Sequence, residues 1–283
     1  MPVDVSRVVG ADLPPLTFEY DEKTVITYAL GVGAGSDPGD LKYVYENPPG
    51  LQVLPTFGVI PPFPALMGLG GLEGFRINLA MVLHGEQYLE VRKHPVPTSG
   101  TLTTKSKVAN VYDKGKGALI EIEAETRDAS GDVIYYNVFG VFARGEGGFG
   151  GERGPSAANR PPAREPDRVI EASTLPQQAL LYRLSGDLNP LHADPSFAAL
   201  AGYDRPILHG LCTMAIASRA LLREYGGDDP SRFRSVGVRF SGHVFPGEGL
   251  LTEVWEEGDL LIFQVRTAGR GEVAISNAAM RLA

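Results

Sequence analysis

The feature that most constrains the fold of this 283-residue chain is an internal repeat. Three segments of the first half recur in the second half at a nearly constant distance. The matched pairs are residues 28–33 with 182–187 (154 residues apart), 57–58 with 209–210 (152 apart) and 94–100 with 243–249 (149 apart). A near-constant spacing across separate segments favours two diverged copies of one folding unit over chance agreement between common Gly and Pro turns.

The two copies are separated by a stretch rich in glycine, proline and arginine. Residues 145–169 have a composition that does not sustain a helix or strand, which predicts a linker between residues 1–144 and residues 170–283. Phe149 is unusual in a pure spacer. Because glycines let the backbone approach a neighbour closely, the first part of this stretch is also compatible with one wall of a ligand groove.

Each copy has the pattern of one apolar helix followed by strands. In the second copy, apolar residues between Leu211 and Tyr225 fall at helical spacing, from a start near Gly210 to a Gly226-Gly227 stop. Segments with strand-like alternation are 87–91, 101–111, 118–126 and 132–144 in the first copy, and 236–244, 250–256, 260–267 and 273–282 in the second. Three prolines (61, 62 and 64) interrupt the first helix, so that half is expected to be wider or more irregular. The pattern predicts an α+β fold in which the sheet wraps the helix.

Composition narrows the classes of partner and site. With 26 basic and 34 acidic residues, the formal charge is -8, which argues against nucleic acid; an anionic ligand would need a local Lys and Arg cluster. A single cysteine, Cys212, excludes an intrachain disulfide and a multi-cysteine metal site. No apolar run suggests a membrane span, no signal peptide is evident, and the terminal Met280-Arg281-Leu282-Ala283 is not a peroxisomal tripeptide. We therefore expect a cytoplasmic protein without nucleic-acid or membrane partners.

The densest polar segment is residues 182–194, where Asp187, Asn189 and His192 fall within six positions. A carboxylate and an imidazole that face one small volume can share a water molecule and perform general acid–base chemistry. The alternative is a structural loop in which Asp187 and Asn189 satisfy backbone donors, and spacing alone leaves the two interpretations even. Asp187 aligns with Gly33 and His192 with Pro38, which favours one active and one silent half.

A second feature is His209-Gly210, directly before the long helix. Free N–H groups at a helix N-terminus can stabilise an oxyanion, and glycine leaves room for one. Alternatively, Gly210 permits tight packing, as its counterpart Gly58 suggests, and both roles are compatible. We expect His209 to be a buried, hydrogen-bonded histidine, because the first half has Phe57 at this position.

Other candidate sites are weaker. The five histidines show no metal-ligand spacing, so no metal site is predicted. Residues 31–35 (GVGAG) lack the complete glycine pattern of a dinucleotide loop. Lys114 and Lys116 lie on a predicted turn, either solvated or in contact with phosphates. Cys212 and Phe240 are expected to pack in the core.

The segment from Tyr182 to Ala198 (YRLSGDLNPLHADPSFA) resembles the signature of the MaoC-like, type 2 (R-specific) enoyl-CoA hydratases. Further matching segments are 206–213 (PILHGLCT) and 245–249 (FPGEG), and in the first half 29–34, 53–58, 84–85 and 147–151. The resemblance, to the two-domain members of the family, therefore spans nearly the whole chain.

This resemblance implies a double hotdog fold and the reversible hydration of trans-2-enoyl-CoA to (3R)-3-hydroxyacyl-CoA. It assigns Asp187 and His192 as the acid–base pair, Asn189 as their orienting residue and the Gly210 amide as oxyanion donor. The residues it implies for substrate binding are His84, Gly85, Lys114, Leu188, Pro190, Leu191, His209 and Phe240. The first copy would form the acyl-chain pocket. No cofactor is implied apart from the CoA of the substrate, and a homodimer is compatible with the fold.

Two alternatives stay open. One is a dehydratase that acts on acyl-carrier-protein thioesters in lipid or polyketide synthesis. The other is a non-catalytic acyl-thioester-binding protein on the same fold, against which the intact Asp187, Asn189, His192 and Gly210 argue.

Overall fold

In the computed structural model, which describes residues 3–47, 50–75, 82–156 and 158–283, the chain forms a ten-stranded antiparallel sheet with helices against it. The strands are β1 (Leu16–Tyr20), β2 (Val82–Val91), β3 (Gly100–Asp113), β4 (Gly117–Arg127), β5 (Val133–Arg144), β6 (Arg168–Ser173), β7 (Phe233–Phe240), β8 (Gly249–Glu257), β9 (Leu260–Thr267) and β10 (Val273–Leu282). The α-helices are α1 (Val5–Val8), α2 (Glu22–Gly31), α3 (Leu41–Val44), α4 (Ala65–Gly68), α5 (Gln178–Tyr182), α6 (Pro195–Leu200) and α7 (Gly210–Gly226).

The order of the strands reveals the repeat. From the centre outward, the first half runs β2-β5-β4-β3-β1 and the second half runs β7-β10-β9-β8-β6. The halves meet where β2 pairs antiparallel with β7, from Glu86 opposite Arg239 to Glu90 opposite Ser235. Each half therefore contributes the same five-stranded unit, and the predicted α+β class is confirmed.

Helix α7 is the continuous central helix of the second half. Its 17 residues place Leu211, Met214, Leu221 and Leu222 in the core, and the helix stops because Gly227 adopts a left-handed conformation at φ 62°. The predicted start and end are correct. Among the described residues, no helix combines the length and apolarity needed to cross a membrane.

The central segment of the first half is broken, as its prolines predict. A 3₁₀ turn (Pro55–Val59) is followed by turns over the three prolines, by the short α4 and by a second 3₁₀ turn (Leu69–Gly71). Proline lacks the amide hydrogen that a continuous helix requires, so the segment proceeds by short turns. The first half therefore has a less regular wall where the second half has α7.

The glycine-rich part of the predicted linker is packed against the β3–β4 turn. The buried carboxylate of Asp113 accepts hydrogen bonds of 2.8 Å from the backbone N–H groups of Gly115, Gly148 and Gly150. A Cβ atom on Gly147 would lie 2.6 Å from the carbonyl oxygen of Gly115, so only glycine fits there. This part of residues 145–169 is thus an ordered segment and not a free spacer.

The other end of the predicted linker also differs from the structure. Strand β6 begins at Arg168, two residues before the expected boundary, because Arg168 and Val169 pair with Val254 and Glu253 of β8. Both residues are exposed, and the composition used to place the boundary does not distinguish them from the linker. The division of the chain into two domains stays a prediction.

Candidate active site

The loop between α5 and α6 consists of short turns that the sequence specifies locally. Gly186, at φ 130°, ends a 3₁₀ turn in a conformation that few other residues adopt. The Asn189 side chain accepts a hydrogen bond of 3.0 Å from the N–H of Leu191 and caps the next 3₁₀ turn, Pro190–His192. Asp194 caps α6 in the same way, with Pro195 at the first helical position. These caps fix the loop that carries Asp187 and His192.

Asp187 and His192 lie close together on this loop, as the sequence predicts. A carboxylate oxygen of Asp187 and a ring nitrogen of His192 lie within 4.8 Å of each other, a separation that one water molecule can bridge. His192 is only 8% exposed, and its Nδ1–H donates to the carbonyl oxygen of Ile207 at 2.8 Å. This bond leaves Nε2 of the neutral ring as a proton acceptor. Burial lowers the pKa of His192, which favours the neutral form, although the Ile207 bond and the Asp187 charge oppose the shift.

His209 supports the pair from behind. Its ring stacks on that of His192 with centroids 3.6 Å apart, and its Nε2–H donates to the main-chain carbonyl of Asp187 at 3.1 Å. Burial and the neighbouring His192 ring lower the pKa of His209 to about 2, so the ring is neutral at physiological pH. The prediction of a buried, hydrogen-bonded histidine is confirmed. Its contacts with both Asp187 and His192 were not predicted, because they depend on the tertiary fold.

Three potential metal ligands thus converge where sequence spacing predicts none. Asp187, His192 and His209 each place a ligand-capable atom within 4.8 Å of the other two. Nδ1 of His192 and Nε2 of His209 are already hydrogen-bond donors, so one ring nitrogen of each histidine is available. The expectation of no metal site stays a prediction.

Helix α7 begins beside the pair. The first N–H groups of a helix have no partner within it, and those of α7 start at Gly210, on the wall of the same cavity. A Cβ atom at Gly210 would lie 2.8 Å from Cδ1 of Phe240, and one at Gly58 would lie 2.4 Å from Cδ1 of Tyr135. Both glycines therefore permit close packing of the helix on the sheet. At Gly210 this packing also leaves the helix N-terminus open to a ligand.

A cavity of about 870 Å³ connects these groups. The predicted site residues that line it are Asp187, Leu188, Asn189, Pro190, Leu191, His192, His209, Gly210, Phe240 and His84. His84 packs its ring on Phe240 with centroids 5.1 Å apart and donates from Nε2 to the carbonyl oxygen of Glu86 at 3.0 Å. Burial lowers the pKa of His84 to about 4, so it is a neutral wall residue.

Two of the predicted binding residues do not line this cavity. Gly85 forms the β-bulge after His84, where it faces the carbonyl oxygen of Gly140. Lys114 lies on the β3–β4 turn, donates to the carbonyl oxygen of Arg153 and lines a second cavity of about 410 Å³. The fold therefore does not bring Lys114 to the Asp187–His192 pair.

Another part of the wall of the large cavity comes from the first half. The broken central segment contributes the residues Phe63, Pro64, Leu66, Met67 and Leu69. The sequence predicted an acyl pocket in this half but named none of these residues. Helix α4 and the second 3₁₀ turn carry all of these residues except Phe63 and Pro64. Cys212 is buried with its thiol pKa raised by burial, as expected of an inert core residue.

Comparison with known proteins places the chain in one family. A family model described as the MFE-2 hydratase 2 N-terminal domain matches residues 18–145, and the MaoC like domain matches residues 156–278. The probable enoyl-CoA hydratase 2 of Dictyostelium discoideum is 42% identical over 284 residues, which cover 98% of this chain and 96% of that protein. Mouse peroxisomal multifunctional enzyme type 2 is 46% identical over 276 residues, which cover 95% of this chain and 37% of the mouse protein.

Solved structures agree with this family. A MaoC-like dehydratase from Phytophthora capsici superposes with a TM-score of 0.89 at 37% identity, over 99% of both chains. A Mycobacterium tuberculosis protein described as a double hotdog fold has a TM-score of 0.56 at 14% identity, over 99% of this chain and 98% of that one, which confirms the predicted fold. The chain spans 31% of a Neurospora crassa peroxisomal hydratase-dehydrogenase-epimerase and 37% of the mouse enzyme, about a third of these multifunctional relatives. The chain belongs to the MaoC-like hydratase 2 family.

Proposed function

We propose that this protein catalyses the reversible hydration of trans-2-enoyl-CoA to (3R)-3-hydroxyacyl-CoA. The observation that carries the proposal is the placement of the Asp187–His192 pair and the start of α7 on the wall of one large cavity. A pair of proton-transfer groups and a set of free backbone N–H groups are what addition of water to an unsaturated thioester requires.

The chemistry follows from these two features. Water forms a bond from its oxygen to the β-carbon, and the electron pair of the double bond moves toward the thioester carbonyl. The N–H of Gly210 at the start of α7 stabilises the negative charge on that oxygen. Asp187 and His192 hold the water, take up one of its protons and return a proton to the α-carbon, so the pair ends in its initial protonation state.

The neutral state of His192 favours this cycle. Because its Nδ1–H is held by Ile207, the free Nε2 can accept a proton from water without ring rotation. Asn189 acts on the loop: its side chain caps the Pro190–His192 turn, and its own N–H donates to the Asp187 carboxylate at 3.2 Å. The implied role of Asn189 as an orienting residue is consistent with both bonds.

The apolar wall of the first half suits an acyl chain. Phe63, Leu66 and Leu69 line the same cavity as the acid–base loop and offer carbon surface without charge. A cavity of about 870 Å³ is within the size range of small-molecule sites and is wide because α4 and its flanking turns replace a continuous helix. We infer that chain-length preference is set by this broken segment.

Dehydration of the same hydroxyacyl thioester is the reverse of this reaction. The relative of known structure from Phytophthora capsici is described as a dehydratase, which supports the dehydratase alternative. The two proposals share their active-site chemistry and differ in the carrier, CoA or acyl carrier protein, and in the direction of net flux.

The decisive experiment is a spectrophotometric assay with trans-2-enoyl-CoA of increasing chain length. We expect loss of the conjugated thioester absorbance and a product with the 3R configuration, established by chiral chromatography. The double variant Asp187→Asn/His192→Ala provides the matched blank. Tight binding of enoyl-CoA without turnover at any chain length would favour a non-catalytic acyl-binding protein. Turnover with enoyl-acyl-carrier protein alone would favour the dehydratase.

Location and assembly also stay proposals. We keep the prediction of a cytoplasmic protein, while noting that the mouse relative is named peroxisomal. A fluorescent fusion in the source cell would decide between the two compartments. Homodimer formation, which the fold allows, can be tested by light scattering coupled to size-exclusion chromatography.

A further inference from the structure

The buried ring of His209 has one nitrogen that the proposed mechanism does not use. Its Nε2–H donates to the main-chain carbonyl of Asp187 at 3.1 Å, so Nδ1 of the neutral ring carries a lone pair. Nδ1 has no hydrogen-bond partner among the described residues, although His209 is only 1% exposed. Buried polar atoms are rarely left unpaired, so a partner from outside the chain is expected here.

Two further groups with free lone pairs lie beside His209. Its ring stacks on that of His192 with centroids 3.6 Å apart, and the bond from Nδ1–H of His192 to Ile207 leaves Nε2 free. The Asp187 carboxylate accepts from the N–H of Asn189 at 3.2 Å and has further lone pairs. A ligand-capable atom of each of the three side chains lies within 4.8 Å of the other two. Two imidazoles and one carboxylate therefore surround one small volume.

Main-chain carbonyls hold both rings by their other nitrogen. The carbonyl oxygen of Ile207 does so for His192, and that of Asp187 does so for His209. Histidine ligands in metalloproteins have the same arrangement, because a hydrogen bond from the second ring nitrogen fixes the tautomer and the orientation of the ring. The two rings are thus oriented as metal ligands by the fold itself.

The spacing and the donor atoms suit a transition-metal ion. Bonds of about 2.1 Å to a tetrahedral zinc ion place its ligand atoms about 3.4 Å apart. Separations within 4.8 Å therefore need to shorten by at most about 1.4 Å, a movement that rotation of the half-buried Asp187 side chain can supply. Two nitrogen donors and one oxygen donor favour Zn²⁺ or Cu²⁺ over Mg²⁺ and Ca²⁺, which prefer oxygen ligands.

We propose that Asp187, His192 and His209 form an inhibitory site for a divalent transition-metal cation such as Zn²⁺. All three residues line the large cavity, so an ion can reach them and keep its fourth position open to water. The inhibitory effect rests on the function proposed above, because the ion occupies the carboxylate and the His192 nitrogen that hold the water for hydration. The ion is an inhibitor and not a cofactor.

A competing partner for Nδ1 of His209 is the hydroxyl group of Tyr182. That hydroxyl is also buried without a partner among the described residues, and its ring packs on His209 with centroids 4.8 Å apart. One buried water molecule between the two groups would satisfy both. The metal ion is favoured because His209 lines the cavity together with two other ligand groups, whereas Tyr182 is not part of the cavity wall.

No second group of three ligand side chains lies in the part of the chain that the structure describes. His243 contacts Arg270 at 3.1 Å, whose positive charge repels a cation, and Cys212 is a buried thiol. His94 lies outside the large cavity, with its Nε2 bonded to the carbonyl oxygen of Phe233 at 2.9 Å. Zinc is therefore expected to bind at one site, and His94 offers a matched control.

Calorimetric titration with zinc chloride tests binding independently of turnover. We expect one ion per chain and an affinity about 100-fold lower in His209→Phe, which removes the unpaired nitrogen. This variant should fold, because the first half has Phe57 at the aligned position. His94→Phe and Tyr182→Phe should bind zinc as the wild type does. Titration with cobalt(II) should give the visible absorption of a four-coordinate site in the wild type and not in His209→Phe.

Inhibition of enoyl-CoA turnover is the second readout. We expect Zn²⁺ to inhibit the wild type reversibly, with activity restored by EDTA, and the half-inhibiting concentration to be about 100-fold higher in His209→Phe. Equal zinc affinity in the wild type and His209→Phe would overturn the proposal and favour the buried water. Zinc binding without inhibition of an active enzyme would overturn the inhibitory role. Absence of turnover in metal-free protein that still binds zinc would instead contradict the proposed hydratase.

Discussion

The acid–base loop and the segment aligned with it in the first half serve different purposes. In the second half, Asp187 and His192 face the cavity and form no ion pair in the described structure. In the first half, Gly33 and Pro38 occupy the aligned positions, and the polar residue that dominates the loop is Asp40. Asp40 is fully buried and contacts the other half of the molecule.

Asp40 binds two arginines of α7. Nη1 of Arg219 donates to both carboxylate oxygens at 2.9 Å, and Nη2 of Arg223 donates to Oδ1 at 2.5 Å. The second nitrogen of Arg219 donates to the carbonyl oxygen of Gly33 at 2.9 Å, at the position that aligns with Asp187. The space around the silent loop is therefore filled by a cation from the other half, and the loop fastens α7 to the first half.

The start of the central helix repeats the contrast. Tyr28 packs edge-on against Phe57 with centroids 5.5 Å apart, and Tyr182 packs against His209 at 4.8 Å. Phe57 of the first half is aligned with His209 of the second half. The imidazole of His209 packs on a tyrosine as the phenyl ring does, and it also donates a hydrogen bond to the main chain of the acid–base loop. Aligned positions of the duplicated fold thus stabilise the packing in the first half and support the proposed chemistry in the second half.

The largest effect is expected from the acid–base pair. Asp187→Asn or His192→Ala should each lower kcat for enoyl-CoA by about 10³-fold, since each removes one proton-transfer group. Pro38→Ala, at the position aligned with His192, is the control and should retain kcat. Circular dichroism should show that all three variants fold. Near-wild-type turnover in either active-half variant would contradict the proposed chemistry.

The next largest effect concerns stability. Asp40→Ala removes a fully buried carboxylate, leaves the partly buried Arg219 without its partner and should lower the free energy of unfolding by about 3–5 kcal/mol. Asp194→Ala, the aligned change in the active half, removes only a helix cap and should cost about 1 kcal/mol. Urea unfolding measures both. Equal losses would show that the ion pair does not distinguish the silent loop from the active one.

Much of the fold could be predicted because its strongest signals are local. The repeat offset, the apolar spacing of α7 and its Gly227 stop are all readable from neighbouring residues. The edge strands β1 and β6 were missed, because each has only five or six residues and Tyr20 is the only buried one among them. Alternation reveals a strand only where one face is buried.

The candidate site was predictable only where its residues are close together in the sequence. Asp187, Asn189 and His192 lie within one short loop, so their convergence follows from sequence spacing. The hydrogen bond from His209 to Asp187 spans 22 residues, and the Arg219–Asp40 pair spans 179. Such contacts depend on how the halves pack, which neither spacing nor periodicity specifies. The acyl pocket of the first half was implied by the resemblance, but the residues of its wall were not named for the same reason.

A smaller effect is expected on folding stability at acid pH, because the second half buries His209 where the first half has Phe57. The pKa of His209 is about 2 in the folded protein, below its unfolded value, so protons bind preferentially to the unfolded chain and stability is lost as pH falls below about 6.5. At pH 4.5 this group should cost about 2–3 kcal/mol relative to pH 7. His209→Phe, which installs the first-half residue, should remove that part of the acid sensitivity. Parallel stability curves against pH for the two proteins would contradict the burial of a neutral His209.

The smallest expected effect is on kcat, and it distinguishes the two contacts that His209 makes: the ring stack on His192 and the hydrogen bond to Asp187. His209→Phe keeps an aromatic ring against His192 but loses the bond to the Asp187 carbonyl, whereas His209→Gln keeps a donor and loses the ring. If the hydrogen bond positions the loop, His209→Phe should lower kcat about tenfold, the kinetic equivalent of one hydrogen bond, and His209→Gln should recover most of it. KM should change little, because His209 acts through Asp187. The reverse ranking of the two variants would assign the positioning to the stacked ring, and the phenyl–imidazole exchange would then carry no functional difference between the halves.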